Sequence, residues 1–294
     1  MMQTKGIVLK GIGGFYYVDT ADGIYECRAR GKLRLRGESP LAGDEVLIEA
    51  AEDKTGYLME ILPRKNSLVR PAVSNIDNLF VVASEADPKT DLFLIDKVSV
   101  IAVRQKIRVF VVLNKCDLDT ADEYFRIYTE AGFTVIRTSA VTHEGIEKVR
   151  EHLPGKLSAF TGNSGVGKSS LINLLLPDLY LETGELSRKI GRGCHTTRKV
   201  ELMKLPEDTY VADTPGFSAF DLTKMDSLSK EDLEDAFFEF SPYLGKCRFV
   251  GCSHVKEKGC AVLGAVKSGL IRQSRHNSYV CLYESVKNMK EWEK

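Results

Sequence analysis

Gly162-Asn163-Ser164-Gly165-Val166-Gly167-Lys168-Ser169 is the stretch that decides the fold. It fits G-x-x-x-x-G-K-[ST] at every fixed position. The apolar run Leu157 to Thr161 leads into it, and the helix-forming run Leu171 to Leu176 leads out. Strand, glycine loop and helix in that order form a phosphate cradle, because backbone N–H groups must wrap the phosphates closely and only glycine permits the turns. In such a loop Lys168 reaches the β- and γ-phosphates and the Ser169 hydroxyl ligates Mg2+, with Ser170 next in the chain. The plain alternative is a glycine-rich turn before a helix.

Downstream, Asp213-Thr214-Pro215-Gly216 reads D-x-x-G at the end of the strand-like Tyr210 to Ala212. Alone it is a common turn. About fifty residues after a phosphate loop it supplies the metal-side acid, Asp213, and a γ-phosphate-sensing amide, Gly216. Between the two lies Gly191-Arg192-Gly193-Cys194-His195-Thr196-Thr197-Arg198, a polar loop in which one threonine could close on Mg2+. Upstream, Asn114-Lys115-Cys116-Asp117 follows the strand-like Val109 to Leu113, and Thr138-Ser139-Ala140 follows the next strand. The Asp117 carboxylate can accept from both the ring N–H and the exocyclic amine of guanine, whereas adenine offers neither donor there. An unpaired acid would cost about 1 to 3 kcal/mol, so the pattern selects GTP over ATP. Ordinary small GTPases place the phosphate loop first and N-K-x-D last. Here N-K-x-D and S-A come first, which makes the expected GTPase domain circularly permuted, an arrangement tolerated where the original termini lie close together.

The flanks differ in character. Short runs with turn residues between them fill the first 65 or so residues (Gly6 to Lys10, Phe15 to Asp19, Ile24 to Arg28, Glu45 to Ala50) and predict a small five-stranded OB-like barrel. From Asn78 apolar runs alternate with amphipathic ones, as in a parallel sheet with crossover helices. Arg28, Arg30, Lys32, Arg34 and Arg36 recur at every second position, which in an extended strand lines five cations on one face. That face suits an RNA backbone; it equally suits a solvated edge strand, and Gly31 could end the register. Near the carboxyl end Cys247, Cys252, His254 and Cys260 give C-x4-C-x-H-x5-C. Three thiolates and an imidazole make a closed tetrahedral set for one structural Zn2+. Arg272, Arg275, His276 and Tyr279 fall at helical spacing and, with Lys246, Arg248, Lys256 and Lys258, could meet RNA.

The 294 residues carry 41 Lys+Arg against 41 Asp+Glu, with 43% apolar and 28% charged residues, which excludes a disordered, collagenous or membrane-embedded chain. The balance is uneven, because residues 241–294 carry a formal charge of +6, the sign expected of a segment that meets a polyanion. No apolar run approaches the ~18 to 20 residues of a bilayer span, the amino terminus lacks a secretory design, and an odd seven cysteines argue against a disulfide framework. A cytoplasmic protein is expected, and nothing requires more than a monomer.

Taken together, the barrel, the permuted motif order, G-R-G-x-H-T-T, D-T-P-G-F and the cysteine cluster resemble the RsgA (YjeQ/YloQ) GTPases of small-ribosomal-subunit biogenesis over nearly the whole chain. The resemblance implies an α/β multidomain protein: an OB-fold domain (1–68), a circularly permuted P-loop GTPase domain (69–220) and a mainly helical zinc domain (221–294). It implies binding to the small ribosomal subunit and its rRNA near the decoding region, with GTP hydrolysis stimulated by the particle and coupled to release. Phe217 stands where a Ras-like enzyme places its water-orienting glutamine. By resemblance His195 takes that task and Thr197 ligates Mg2+, although Cys194 and Arg198 depart from the family's loop and leave Thr196 open as the ligand. An exposed loop histidine is the bland alternative for His195. Two other functions fit parts of the pattern: a nucleotide-gated RNA-binding module with incidental turnover, which Phe217 would suit, and a P-loop ATPase or nucleotide-modifying enzyme with a zinc ribbon, which would make Asp117 irrelevant to base choice.

Overall fold

The structure, a computed structural model, describes residues 2–31, 39–68, 71–176, 200–214 and 228–292. Two compact units share the chain: one gathers residues 1–79, 147–161 and 169–219, the other residues 80–146, 162–168 and 220–294.

In the first unit β1 (Met2–Ile12), β2 (Phe15–Thr20), β3 (Gly23–Ala29), β4 (Glu45–Ala50) and β5 (Thr55–Ile61) close a barrel in the order β1-β2-β3-β5-β4. Only β3 and β5 pair in parallel. Alternation explains the closure. Tyr25 and Cys27 point inward from β3 to meet Val8, Val18, Val46, Ile48 and Leu58, while Glu26 and Arg28 point out. This is the five-stranded OB-like barrel expected from the sequence. The cationic stripe does not continue along its strand, because β3 stops at Ala29. Arg28 lies over the Phe15 ring at 4.5 Å and Arg30 reaches Glu49 at 3.4 Å. Lys32, Arg34 and Arg36 lie outside the described residues.

A short antiparallel pair, β6 (Ser67–Leu68) and β7 (Val73–Ser74), follows the barrel. A six-stranded sheet comes next, made of β8 (Asn78–Ala83), β9 (Arg108–Leu113), β10 (Thr134–Arg137), β11 (Leu157–Gly162), β12 (Leu202–Leu205) and β13 (Thr209–Asp213). Its order is β10-β9-β8-β11-β13-β12. The two central strands are buried at every position, which is why they read as unbroken apolar runs. Helices α1 (Leu92–Arg104), α2 (Asp122–Glu130), α3 (Ile146–Arg150) and α4 (Lys168–Leu175) occupy the amphipathic segments. Within the first unit the barrel is tied to the β12–β13 hairpin through buried Asp19, which accepts from the Tyr210 hydroxyl at 2.6 Å and pairs with Lys204 at 2.7 Å.

The carboxyl-terminal part of the second unit is helical: α5 (Lys230–Ala236), a 3-10 turn (Phe238–Tyr243), α6 (Ala261–Lys267) and α7 (Gln273–Trp292). A Ser229/Asp232 capping box starts α5. Phe237, Phe240 and Tyr279 form its aromatic centre, with Phe240 and Tyr279 rings 4.9 Å apart. Here the structure corrects the expectation for α7. Arg275, His276 and Tyr279 turn into this core and are no more than 5% exposed, and Arg272 is held bidentately by Glu130. Only Lys246, Arg248, Lys256 and Lys258 of that cationic set remain exposed without such a fate.

Arg275 is the electrostatic keystone of the packing. Its guanidinium pairs with Asp96 of α1 at 2.5 Å and with Glu239 at 2.8 Å, and lies over the Phe237 ring at 4.4 Å. Both acids are themselves buried, so replacing the arginine strands two carboxylates. The Arg275→Met variant is expected to lose about 3 to 5 kcal/mol, read as a lower urea midpoint; a midpoint unchanged from the parent would contradict this placement.

Candidate functional site

Three motifs converge at one end of the second unit. Buried Asn114, the first residue past β9, donates from Nδ2 to the Val166 carbonyl of the phosphate loop at 2.9 Å and accepts at Oδ1 from the Thr138 hydroxyl at 3.1 Å. Its backbone N–H donates to Ala83 at the end of β8. One side chain thus joins N-K-x-D, the phosphate loop and the strand end before Ser139-Ala140. The glycines follow from this closeness. Gly167 has φ +86°, and a Cβ there would lie 2.4 Å from Asn114 Nδ2. A Cβ on Gly162 would lie 2.4 Å from the Val82 carbonyl oxygen. Val166 is fully buried, while Ser164 and Gly165 are exposed and Asn163 is half-buried, so the loop anchors by one residue and opens toward solvent. Lys168 then begins α4, placing the positive end of a helix behind the loop. Ser169 and Ser170 are exposed in its first turn.

The base motif is equally ordered. Asp117 is exposed, and its Oδ1 accepts from the Ser139 hydroxyl at 2.5 Å. That hydroxyl in turn accepts from the Val141 and Thr142 amides at 3.2 and 3.0 Å. Ser139 has one proton to give and gives it to Asp117, so it acts on a base by aiming the carboxylate. Ala140 follows and is half-buried. Lys115, at φ +67°, sends its ammonium to the Asp87 carbonyl at 2.7 Å. Neither Asp87 nor its neighbour Pro88 belongs to a sequence motif, and nothing in the local pattern marks them.

In the first unit, Asp213 ends β13 opposite Phe160 of β11, two residues before the phosphate loop begins. Thr214 donates its hydroxyl to the Phe160 carbonyl at 2.7 Å. His195, Thr196, Thr197, Gly216 and Phe217 lie outside the described residues.

The metal set is the second site. Cys247, Cys252, His254 and Cys260 bring their ligand atoms within 4.8 Å of one another. Cys247 Sγ lies 3.8 Å from Cys260 Sγ, and His254 Nδ1 lies 3.6 and 3.3 Å from those two sulfurs. Bond lengths of about 2.3 Å to sulfur and 2.0 Å to nitrogen give tetrahedral edges of about 3.5 to 3.8 Å, close to these three separations, and with Cys252 inside the 4.8 Å limit the set could hold one zinc-sized ion. The same 3.8 Å excludes a disulfide between those sulfurs. His254 Nε2 faces the Glu234 carboxylate at 2.9 Å, which puts the ring proton on that side and turns the Nδ1 lone pair toward the thiols. Glu257 shapes the intervening loop. Partial burial opposes its charge, yet hydrogen bonds from the Ser253 side chain and from the backbone of Ser253, Glu257 itself and Lys256 outweigh that and pull its carboxyl down to about 2. Glu234 and Glu257 sat among ordinary surface acids in the sequence, and only the fold singles them out.

The arrangement defines a class: a nucleotide-binding sheet with its phosphate strand β11 between β8 and β13, and with the base-motif strands earlier in the chain than the phosphate loop. That is a circularly permuted GTPase. Residues 61–223 match the RsgA GTPase family and residues 5–58 the RsgA N-terminal domain. The chain belongs to the RsgA GTPase family. It is 46% identical over 290 residues to the small ribosomal subunit biogenesis GTPase RsgA of Caldanaerobacter subterraneus subsp. tengcongensis, covering 98% of this chain and 97% of the relative. Among solved structures it is similar to YjeQ from Thermotoga maritima (TM-score 0.80, 32% identity, 97% of this chain and 99% of that one). It is also similar to YloQ, described as a circularly permuted GTPase (TM-score 0.79, 34% identity, 98% and 96%). Among the described residues no helix is long and apolar enough to cross a membrane.

Proposed function

We propose that this GTPase binds the small ribosomal subunit and its rRNA late in subunit maturation, hydrolyses GTP there and leaves as the GDP form. The observation that carries the nucleotide half is the bond from Asn114 to Val166, which seats a guanine-reading motif against a phosphate loop. The ribosomal half rests on the relatives, which are named for small-subunit biogenesis. In this reading Asp117 accepts from the guanine ring N–H and amine, with Ser139 aiming it and Ala140 closing the edge. Backbone amides from Gly162 through Gly167 wrap the phosphates, and Lys168 neutralises charge on the β- and γ-oxygens. Mg2+ bound with GTP supplies further charge neutralisation; Ser169, Asp213 and Thr197 are the residues that would hold it. Gly216 senses the γ-phosphate. Phe217 cannot orient water, so His195 does, and hydrolysis without the particle is slow, at most about 10⁻² per second. Domains 1–68, 69–220 and 221–294 are the functional divisions, Zn2+ fills the cysteine–histidine set, and the protein works in the cytoplasm as a monomer.

Co-sedimentation with purified small subunits tests this reading. Retention with a non-hydrolysable GTP analogue and release with GDP are expected. With GTP itself, the His195→Ala protein should stay on the particle, because it binds GTP but does not turn it over. Equal retention in both nucleotide states would overturn the proposal. Release of His195→Ala with GTP would favour instead a binding module gated without chemistry through that residue.

A further inference from the structure

The loop between β8 and α1, residues 85–89, carries none of the GTPase motifs, yet it touches two of them. Its ends are firmly rooted. Ser84 and Thr90 are fully buried and cross-linked, with the Ser84 amide donating to the Thr90 hydroxyl at 3.0 Å and the Thr90 amide to the Ser84 carbonyl at 2.8 Å. The Tyr124 hydroxyl of α2 donates to the Thr90 carbonyl at 2.6 Å, and Asp91 caps α1 by accepting from the Phe93 amide at 2.9 Å. From this base the exposed tip reaches outward. The Asp87 carbonyl takes the Lys115 ammonium at 2.7 Å, and the Pro88 ring lies against Gly165, where an added Cβ would sit 3.1 Å from Pro88 Cγ.

We infer that this loop is a positioning element of the nucleotide site, holding Lys115 through Asp87 and the open side of the phosphate loop through Pro88. The inference rests on the reading of the preceding subsection that guanine nucleotide occupies this site. Lys115 is fixed at one end by its backbone beside Asn114 and at the other by Asp87. Its four-carbon stem is therefore held at both ends, and a lysine otherwise carries about 2 kcal/mol of rotamer entropy to lose on binding. Gly165 is exposed at φ +82°, so nothing but Pro88 is described against that side of it. Asn114 braces the loop from within through Val166; Pro88 braces it from without. A site held on both sides needs less ordering when nucleotide arrives, and it lets nucleotide go more slowly.

The test is the dissociation rate of a fluorescent guanosine diphosphate from Pro88→Gly, Lys115→Met and the double variant, with the melting temperature of each nucleotide-free protein. Pro88→Gly should speed dissociation about 5- to 20-fold while shifting melting by no more than about 2 °C. The double variant should be slower than the product of the two single effects, because both act through one loop. Pro88→Ala, which removes the ring with less gain in backbone freedom, should move dissociation in the same direction and serves if the glycine variant does not fold. Dissociation within twofold of the parent, or fully multiplicative effects, would overturn the inference. An Asp117→Asn protein run alongside separates the two claims, since unaltered guanine preference there defeats the site assignment itself, whatever Pro88 does.

Discussion

Stripping the metal from the zinc-loaded protein is expected to melt the carboxyl-terminal helices as a unit. Apart from the 20-residue α7, the helices there are short: α5 and α6 have seven residues each and the 3-10 turn six. Isolated helices below about 12 to 15 residues do not hold in water. Against that stands an aromatic core, Phe237, Phe240 and Tyr279, extended by Val100 of α1. Zinc held by the cysteine–histidine set would decide the balance. Structural zinc in small domains contributes about 10 to 16 kcal/mol, as much as the whole stability of an ordinary domain. Its loss would leave three thiols and His254 facing one another, and Glu234 aimed at a ligand with nothing to bind. Limited proteolysis and far-UV circular dichroism before and after chelation should show cleavage spreading through residues 228–292 with loss of helical signal. Cys252→Ser should behave as the chelated parent does. A protease map and melting temperature indifferent to chelation would mean that the four side chains meet for some other reason.

Asp117→Asn should exchange the base that the protein prefers. Guanine presents two donors to the carboxylate, and hydrogen bonds to a charged group contribute about 1.5 to 3 kcal/mol each. Losing both lowers GTP affinity about 10²- to 10⁴-fold. The direction of the exchange comes from Ser139. Its hydroxyl donates to Oδ1 of residue 117, so an asparagine must turn its carbonyl oxygen that way and present its NH2 to the base. Xanthine has a carbonyl where guanine has the amine, and xanthosine triphosphate should therefore gain affinity as GTP loses it. Competition against a fluorescent nucleotide measures both. Unchanged GTP affinity would remove Asp117 from the base site, and an equal loss for both nucleotides would mean that Ser139 does not set the amide's orientation.

Much of this architecture was legible residue by residue, for identifiable reasons. The phosphate loop, N-K-x-D and the cysteine–histidine set demand particular residues at fixed spacing, and each is local in sequence. The barrel was legible because short strand-like runs such as Gly6 to Lys10, Phe15 to Asp19 and Ile24 to Arg28 follow one another with turn residues between them. Helix α7 shows where that legibility ends. Arg275, His276 and Tyr279 share a helix face, and their polarity suggested a face turned to RNA. That face is instead the buried one, because Asp96 and Glu239, far away in sequence, neutralise the arginine there and the His254 carbonyl takes His276 at 2.7 Å. A charge paired across 179 positions leaves no local trace. The same holds for Asp87 and Pro88, which matter only because folding brings them to Lys115 and Gly165. The cationic alternation after Cys27 is followed only in part, since its strand ends at Ala29 and Lys32, Arg34 and Arg36 lie outside the described residues.

The most direct measurement of the central claim is steady-state GTP hydrolysis by the zinc-loaded protein, with and without purified small ribosomal subunits and with ATP as control. A slow intrinsic rate, raised strongly by the particle and absent with ATP, is the predicted result. A rate that the particle leaves unchanged, or ATP turnover equal to that of GTP, would contradict it.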